Sequence, residues 1–267
     1  MSTSTSGRDG PILIERRGPT LVLTICRPHA GNSLDLATAE ALSRALVQAD
    51  KDETLRAVII TGEGGKFFCT GGDVKAYRVL PDAAALEKVF GRVRDLLDEI
   101  ERFRLPVLAA IDGYALGGGL ELALACDQRF ANRDAKLGAP QAKLGLIPGW
   151  NGIERLVELV GRSHALRMLY LADPISAERA LAIGLVDEVA TDGTALDAAL
   201  RFSERLAAAA PLGLEAAKLV TFKVLQETRS SSRDYARQTF ARLWFTEDHR
   251  EAEAAFAEKR LPVFFGR

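Results

Sequence analysis

The hydrophobic positions of this chain change their spacing repeatedly, and each change marks an element. Two β-rich runs, Ile12-Leu-Ile-Glu-Arg16 and Thr20-Leu-Val-Leu-Thr-Ile25, flank Arg17-Gly-Pro, a hairpin signal. Leu36, Ala39, Leu42, Ala45 and Leu46 stand at helical spacing and predict a helix from about Asp35 to Gln48, with Asn32-Ser33 offering capping side chains. Arg56-Ala-Val-Ile-Ile-Thr61 is almost continuously apolar, as an interior strand of a sheet is. Leu86 to Phe103 carries one apolar stripe and predicts a long amphipathic helix. Val107-Leu-Ala-Ala-Ile111 is a second interior strand, stopped by Asp112-Gly113, and an apolar helix runs from Leu120 to Cys126. Gln128 to Ala131 and Ala135 to Gly138 are short strands, and helix resumes over Ile153 to Val160. Short helices follow at Ser163 to Leu171 and Ser176 to Ile183, then a strand at Val186 to Val189. Longer ones span about Ala195 to Ala209, Leu214 to Glu227, Ser232 to Phe245 and Glu247 to Arg260, the last with Thr246 as its N-cap. Strands thus dominate the first half and helices the second. The pattern reads as an α/β core over 11–195 and a helical region over 196–267, after a Ser/Thr/Gly-rich tail over 1–10 expected to be disordered.

Composition narrows the classes. With 267 residues, 48% of them hydrophobic, the chain can bury a large core. A formal net charge of −1 leaves no general basic surface for nucleic acid. No apolar run approaches the ~18 residues of a spanning helix, and Met1 to Gly10 lacks the apolar stretch of a signal peptide. Cys26, Cys69 and Cys126 suggest neither a disulfide framework nor metal-ligand spacing, and His29, His164 and His249 are far apart in sequence. These features read as a soluble cytoplasmic protein with no metal and no membrane partner.

Two glycine-rich stretches follow apolar strands. One is Gly62-Glu-Gly-Gly-Lys-Phe-Phe-Cys-Thr-Gly-Gly-Asp-Val-Lys75; the other is Asp112-Gly-Tyr-Ala-Leu-Gly-Gly-Gly-Leu-Glu121, which opens a helix. Free N–H groups at a helix start favour negative charge, and glycine lets a ligand approach them. Oxyanion holes usually take two N–H donors from different segments, so two such loops together suggest one. Glu121 is the one ionisable side chain of its apolar helix. A carboxylate that only complements the helix dipole is the plain alternative to proton-transfer chemistry. Cys69 is read as loop packing.

With these residues in view, the chain resembles the crotonase (enoyl-CoA hydratase/isomerase) superfamily over nearly its whole length. The matching pieces, in family order, are Arg27-Pro-x-x-x-Asn32-Ser-Leu, Phe68-Cys-Thr-Gly-Gly-Asp73-Val-Lys, Gly113-Tyr-Ala-Leu-Gly-Gly-Gly-Leu-Glu121-Leu, Ala139-Pro-x-x-x-Leu-Gly-Leu-Ile-Pro-Gly149 and Phe256-Ala-Glu-Lys-Arg-x-Pro-Val-Phe. The resemblance implies a spiral of ββα units, a C-terminal helical region that assembles homotrimers or dimers of trimers, and acyl-CoA thioester substrates. Coenzyme A is then part of the substrate, and no separate cofactor is implied. The oxyanion-hole amides fall on Gly72 and Gly118, which would stabilise an enolate by about 2.7–4 kcal/mol each. Gly72, Asp73, Val74, Lys75 and Gly118 would line the thioester and pantetheine, and Lys259 would reach the nucleotide phosphates; a solvated helix-end lysine is the alternative.

One departure bears on the chemistry. Hydratases of this family usually carry two catalytic glutamates; Glu121 matches the first, and Gln141 stands at the second. A glutamine hydrogen-bonds but does not exchange protons at neutral pH. The resemblance therefore implies hydration of a 2-enoyl-CoA, or the reverse dehydration, with Glu121 as acid/base and Gln141 orienting water. Isomerisation, decarboxylation or C–C hydrolysis through the same enolate, and acyl-CoA binding without turnover, remain alternatives. Trp150 and Asn151 replace small residues after Ile-Pro-Gly; Trp150 is expected either to narrow the acyl pocket, where a flat acyl group could stack, or simply to pack.

Overall fold

The computed structural model describes residues 6–207, 213–222, 240–241 and 243–262. Strands β1 (Ser6–Asp9), β2 (Ile12–Arg17) and β3 (Thr20–Ile25) form an antiparallel meander. Helix α1 (Leu36–Asp50) returns the chain to β4 (Ala57–Gly62), parallel to β3. β5 (Phe67–Cys69), the short α2 (Val74–Tyr77) and the long α3 (Ala83–Arg102) lead to β6 (Val107–Ile111). β7 (Tyr114–Leu116), α4 (Gly118–Ala125), β8 (Gln128–Asn132) and β9 (Lys136–Gly138) follow. After a 3₁₀ turn at Pro140–Leu144 come α5 (Gly152–Leu171), β10 (Ile175–Ser176), α6 (Ala177–Ala182), β11 (Glu188–Ala190) and α7 (Ala195–Ala207). Of the helical region beyond it, α8 (213–222) and α9 (Glu247–Glu258) are described.

The strands form a seven-stranded sheet ordered β1-β2-β3-β4-β6-β8-β11 and a four-stranded sheet ordered β10-β9-β7-β5. Residues alternate across the large sheet as the strand period requires. Val58, Ile60, Val107, Ala109 and Ile111 join the main core with α1, α3 and α4, while Ile59, Leu108 and Ala110 pack with Phe130 against Ala195, Ala198 and Ala199 of α7. The small sheet has a different role. β5, β7 and β9 are parallel neighbours, so the segments after all three emerge at the same end.

Several sequence expectations need correction. The disordered tail expected over 1–10 does not hold at 6–9: Ser6–Asp9 pairs with β2, and Asp9 bonds Arg44 of α1. Residues 1–5 lie outside the described set. Asp35, not Asn32-Ser33, caps α1, its carboxylate accepting from the Thr38 N–H at 2.8 Å. β7 was not expected; its three residues, Tyr114–Leu116, end at the glycine triplet and are too few to show a strand period. Gly161, at φ 73° and ψ 160°, kinks α5 and separates the two helices expected over Ile153 to Val160 and Ser163 to Leu171. Thr246 caps α9 as expected. Leu243 and Trp244 pack on the main core of their own chain, whereas Phe256 is 81% exposed. The helical region is also anchored by Lys218, whose Nζ donates to Asp127 at 2.7 Å and to the carbonyls of Ile100 and Leu105. The helices expected over Leu214 to Glu227 and Ser232 to Phe245 fall partly or largely outside the described residues, as do Phe264 and Phe265.

Asn32 has a role its cap-like sequence concealed. It is fully buried at φ 53°, in the left-handed region. Its Oδ1 accepts from the Arg27 N–H at 3.0 Å, and its Nδ2 donates to the carbonyls of Glu63 at 3.0 Å and Phe67 at 2.7 Å. Asn32 thereby joins the end of β3 to both sides of the β4–β5 turn. Asn32→Ala would leave those groups unpaired and keep a backbone that alanine resists. We expect it to lower unfolding free energy by about 3 kcal/mol in urea titration.

Candidate active site

Each strand of the β5–β7–β9 ladder delivers one part of the site. After β5 come Gly71 and Gly72, after β7 Gly117 and Gly118, and after β9 Gln141. The ladder continues past the strand ends, since the Gly117 N–H donates to the Gly138 carbonyl at 2.9 Å. Close approach explains one glycine: a Cβ on Gly119 would stand 1.8 Å from the Cys69 carbonyl oxygen. A Cβ on Gly71 would lie 2.8 Å from the Gly118 nitrogen, so the two expected oxyanion segments are neighbours. Gly72 bridges to Leu34, whose N–H donates to Gly71 and whose carbonyl accepts from Asp73. Gly118 is the first residue of α4, where an N–H has no acceptor within the helix. Among the described residues neither the Gly72 nor the Gly118 N–H has an acceptor.

The first loop is clamped by charge. Arg27 Nη2 bonds Asp73 at 2.9 Å and Asp35 at 3.1 Å, while Nη1 donates to the Ser33 carbonyl at 2.6 Å. Asp73 in turn caps α2. Partial burial pushes the Asp73 carboxyl upward, but the Arg27 hydrogen bond and the loop N–H groups hold it below its ordinary value. The Tyr77 ring lies against Gly72, and its hydroxyl donates to the Leu34 carbonyl at 2.8 Å. Val74 and Lys75 are exposed on the outer side of this loop.

Glu121 lies in the first turn of α4 and is only 3% exposed. Its Oε1 accepts from the N–H groups of Trp150 at 2.7 Å and Gly152 at 3.0 Å. Its Oε2 faces Gln141 Nε2 at 3.3 Å. Desolvation raises its pKa to about 7, against the two N–H groups and the nearby charge of Arg155. The carboxyl therefore stands near the midpoint of titration at neutral pH, where a group serves as both base and acid. Gln141 Oε1 is buried and has no partner among the described residues, which leaves one acceptor beside Oε2. A Cβ on Gly152 would lie 2.3 Å from Glu121 Cγ, so the turn accepts only glycine at the carboxylate.

Trp150 is buried, its ring against Gly118 and edge-on to Phe90 at 6.1 Å. Sequence reading missed what supports it: Arg94 and Arg155 hold the carbonyls of Gly149 and Trp150 at 3.1 and 2.8 Å. The helical period over Leu86 to Phe103 does not single out Arg94, and only its burial on α3 betrays it. Lys259 is exposed at the left-handed C-cap of α9. That helix packs on the Pro140–Leu144 turn through His249, whose Nδ1 lies 2.8 Å from the Leu144 carbonyl. Cys69 is buried with its thiol pushed up to about 12, which fits packing rather than nucleophilic use.

A family model described as enoyl-CoA hydratase/isomerase matches residues 15–267. The chain belongs to that family. Enoyl-CoA hydratase/isomerase members similar to it include an (E)-benzylidenesuccinyl-CoA hydratase of Thauera aromatica, 35% identical over 96% of this chain and 99% of the relative. A short-chain-enoyl-CoA hydratase of Clostridium acetobutylicum is 32% identical over 93% and 95%. The crystal structure of a carnitinyl-CoA hydratase from Mycobacterium avium superposes with a TM-score of 0.85, at 37% identity, over 97% of this chain and all of that one. The expected family and crotonase-like fold are thus established, and the protein is an enoyl-CoA hydratase-like enzyme. Among the described residues no helix is long and apolar enough to cross a membrane.

The titration of Glu121 has a thermodynamic signature. Its folded pKa lies above that of an unfolded carboxyl, so the contribution to stability is present below the unfolded pKa and is lost as pH rises through about 7. Glu121→Gln keeps an oxygen for both N–H groups but does not ionise. Relative to wild type, we expect it to gain about 2–3 kcal/mol between pH ~5 and pH ~8.5 in urea unfolding. Equal differences at both pH values would refute the burial reading.

Proposed function

We propose that this enzyme adds water across the double bond of a 2-enoyl-CoA, and catalyses the reverse dehydration, with Glu121 as its only acid/base. The observation that carries the reading is the asymmetric solvation of Glu121. Oε1 is taken by two backbone N–H groups, while Oε2 lies beside the amide of Gln141. A water placed there would donate to Glu121 Oε2 and to the unpartnered Gln141 Oε1. As its oxygen bonds to Cβ, Glu121 takes the proton and electron density moves to the thioester oxygen. The N–H groups of Gly72 and Gly118 stabilise that enolate. Glu121 then returns the proton to Cα, so that H and OH of one water are both incorporated.

Gln141 limits the site to this single shuttle. A carboxylate there would sit within 3.3 Å of Glu121, where two like charges raise one another's pKa. The amide instead donates to Oε2 without titrating. Asp73, Val74 and Lys75 are proposed to flank the pantetheine arm and Lys259 the nucleotide phosphates, by family resemblance. Trp150, with its ring against Gly118, supports a short or flat acyl group. Assembly into trimers belongs to the same family-based reading. A single base also suits isomerisation, which moves a proton between Cα and Cγ and needs no water.

Proton NMR in D₂O with 2-enoyl-CoA thioesters of increasing length separates these readings. We expect a 3-hydroxyacyl product with deuterium at Cα, fastest for the shortest chain, and a loss of at least ~10²-fold in Glu121→Gln. The rate should fall as pH drops below about 7, where Glu121 takes up its proton. A shifted double bond without 3-hydroxyacyl product would select isomerisation. Full hydration by Glu121→Gln would refute the proposal.

A further inference from the structure

Arg94 is 4% exposed, an uncommon position for a cation whose ion-pair partner, Glu87, keeps a side chain 55% exposed. The Glu87 pair alone is a poor reason for such burial, because the desolvation of a buried charge costs several kcal/mol. What Arg94 meets inside is a backbone group: its Nη1 donates to the Gly149 carbonyl at 3.1 Å. That carbonyl belongs to the peptide unit whose N–H, on Trp150, donates to Glu121 Oε1 at 2.7 Å. The described peptides contain no cis bond, and a trans unit points its C=O and N–H in opposite directions. Guanidinium and carboxylate therefore occupy the two ends of one peptide dipole. A cation at the carbonyl end draws electron density from the N–H and strengthens its donation, as in other chains of hydrogen bonds.

The arrangement is built, not incidental. Arg94, Asp98 and Glu101 lie on one face of α3 at i, i+4 and i+7, beneath the Gly149–Gly152 turn. Asp98 and Glu101 bond Arg155 Nη2 at 3.0 and 2.9 Å, and Arg155 Nη1 donates to the next carbonyl, Trp150, at 2.8 Å. Successive carbonyls of the turn are thus each held by a buried arginine. The two differ: Arg155 is neutralised by two carboxylates inside the protein, whereas the partner of Arg94 is half in solvent.

On the reading of Glu121 as the acid/base, we propose that Arg94 is a positioning residue which, through the Gly149–Trp150 peptide, holds Glu121 in one orientation and favours its carboxylate form. The other charged or titratable groups around this pair are accounted for. Arg155 and Glu154 stand on α5, Asp98, Glu101 and Glu87 on α3. Tyr77 of α2 and His249 of α9, beyond Phe90 and the Gln141 turn, are tied to the carbonyls of Leu34 and Leu144. Gln141, which faces Oε2, is neutral.

The test uses the full-length enzyme as wild type, Arg94→Met, Arg94→Lys and Glu87→Gln. Two readouts are taken: kcat and KM against pH with the enoyl-CoA thioester, and ¹³C NMR titration of the Glu121 carboxyl in glutamate-labelled protein, assigned by its loss in Glu121→Gln. For Arg94→Met we expect kcat to fall about tenfold, as for the loss of one charge-assisted hydrogen bond, with KM within about twofold. Both the acid limb of kcat and the ¹³C midpoint should rise by about one pH unit, and Arg94→Lys should recover most of the shift. Glu87→Gln, at an exposed position, should move the midpoint downward by a few tenths of a unit. Midpoints unchanged in folded Arg94→Met and in Glu87→Gln would overturn the proposal; should Arg94→Met not fold, an unchanged midpoint in Glu87→Gln does so alone. A moved midpoint in an enzyme that forms no 3-hydroxyacyl product would support the positioning role and refute hydration.

Discussion

The constraint on which the site depends is the parallel pairing of β5, β7 and β9. Parallel strands leave their sheet at the same end, so three segments distant in sequence, Gly71-Gly72, Gly117-Gly118 and Pro140-Gln141, reach one place without long-range loops. An antiparallel neighbour at any of these positions would send one segment to the opposite edge. The backbone carries this order up to the candidate site, since Gly117 still bonds Gly138 beyond the strand ends. Gly119 closes the assembly, because its missing Cβ lets α4 begin against the Cys69 carbonyl. Sheet topology and active-site geometry are therefore one feature here.

A second constraint is electrostatic. A carboxylate in the core must have compensating donors, and α4 itself is apolar except at Glu121. Compensation comes from the backbone of the Gly149–Gly152 turn, where Asn151 adopts φ 65° and ψ 23°. A left-handed residue between two N–H donors curls them toward a common point, the geometry by which a backbone nest binds an anion. The anion here is the protein's own side chain. Because the donors are peptide groups, the compensation is partial, and Glu121 stays near neutrality instead of falling to the range of a salt-bridged carboxylate.

The local parts of the site were legible in the sequence because two glycine-rich loops after apolar strands, with a lone carboxylate in an apolar helix, are together better explained by a site than by packing. The two loops and Glu121 could be singled out on that ground, and family resemblance added the particular amides of Gly72 and Gly118 and the position of Gln141. The strand and helix order followed from hydrophobic period for the same reason. What escaped notice depends on contacts between distant positions. Asn32 reads as a helix cap until its side chain is seen to bond Arg27, Glu63 and Phe67. Arg94 and Arg155 are not singled out by the sequence at all. Nothing in a helical period distinguishes an arginine that reaches solvent from one that reaches inward to a carbonyl, since the long side chain can do either. β7 escaped because three residues are too few to show alternation.

The saturation of Oε1 has a consequence for how the one carboxylate can work. With both acceptor directions of Oε1 used by Trp150 and Gly152, the proposed proton transfer would be confined to Oε2. A carboxylate that could rotate would present either oxygen and would lose the geometric relation between the water it deprotonates and the carbon it reprotonates. Here rotation breaks two backbone hydrogen bonds in a dry environment, where unpaired groups cost most. In the proposed hydration the same lone oxygen would meet both a water beside Gln141 and an enolate at Gly72 and Gly118. A two-carboxylate site can divide acid and base between residues. In the proposed reaction, a site with glutamine at the second position would instead make one atom serve both steps, a demand that the backbone turn held by Arg94 and Arg155 is suited to meet.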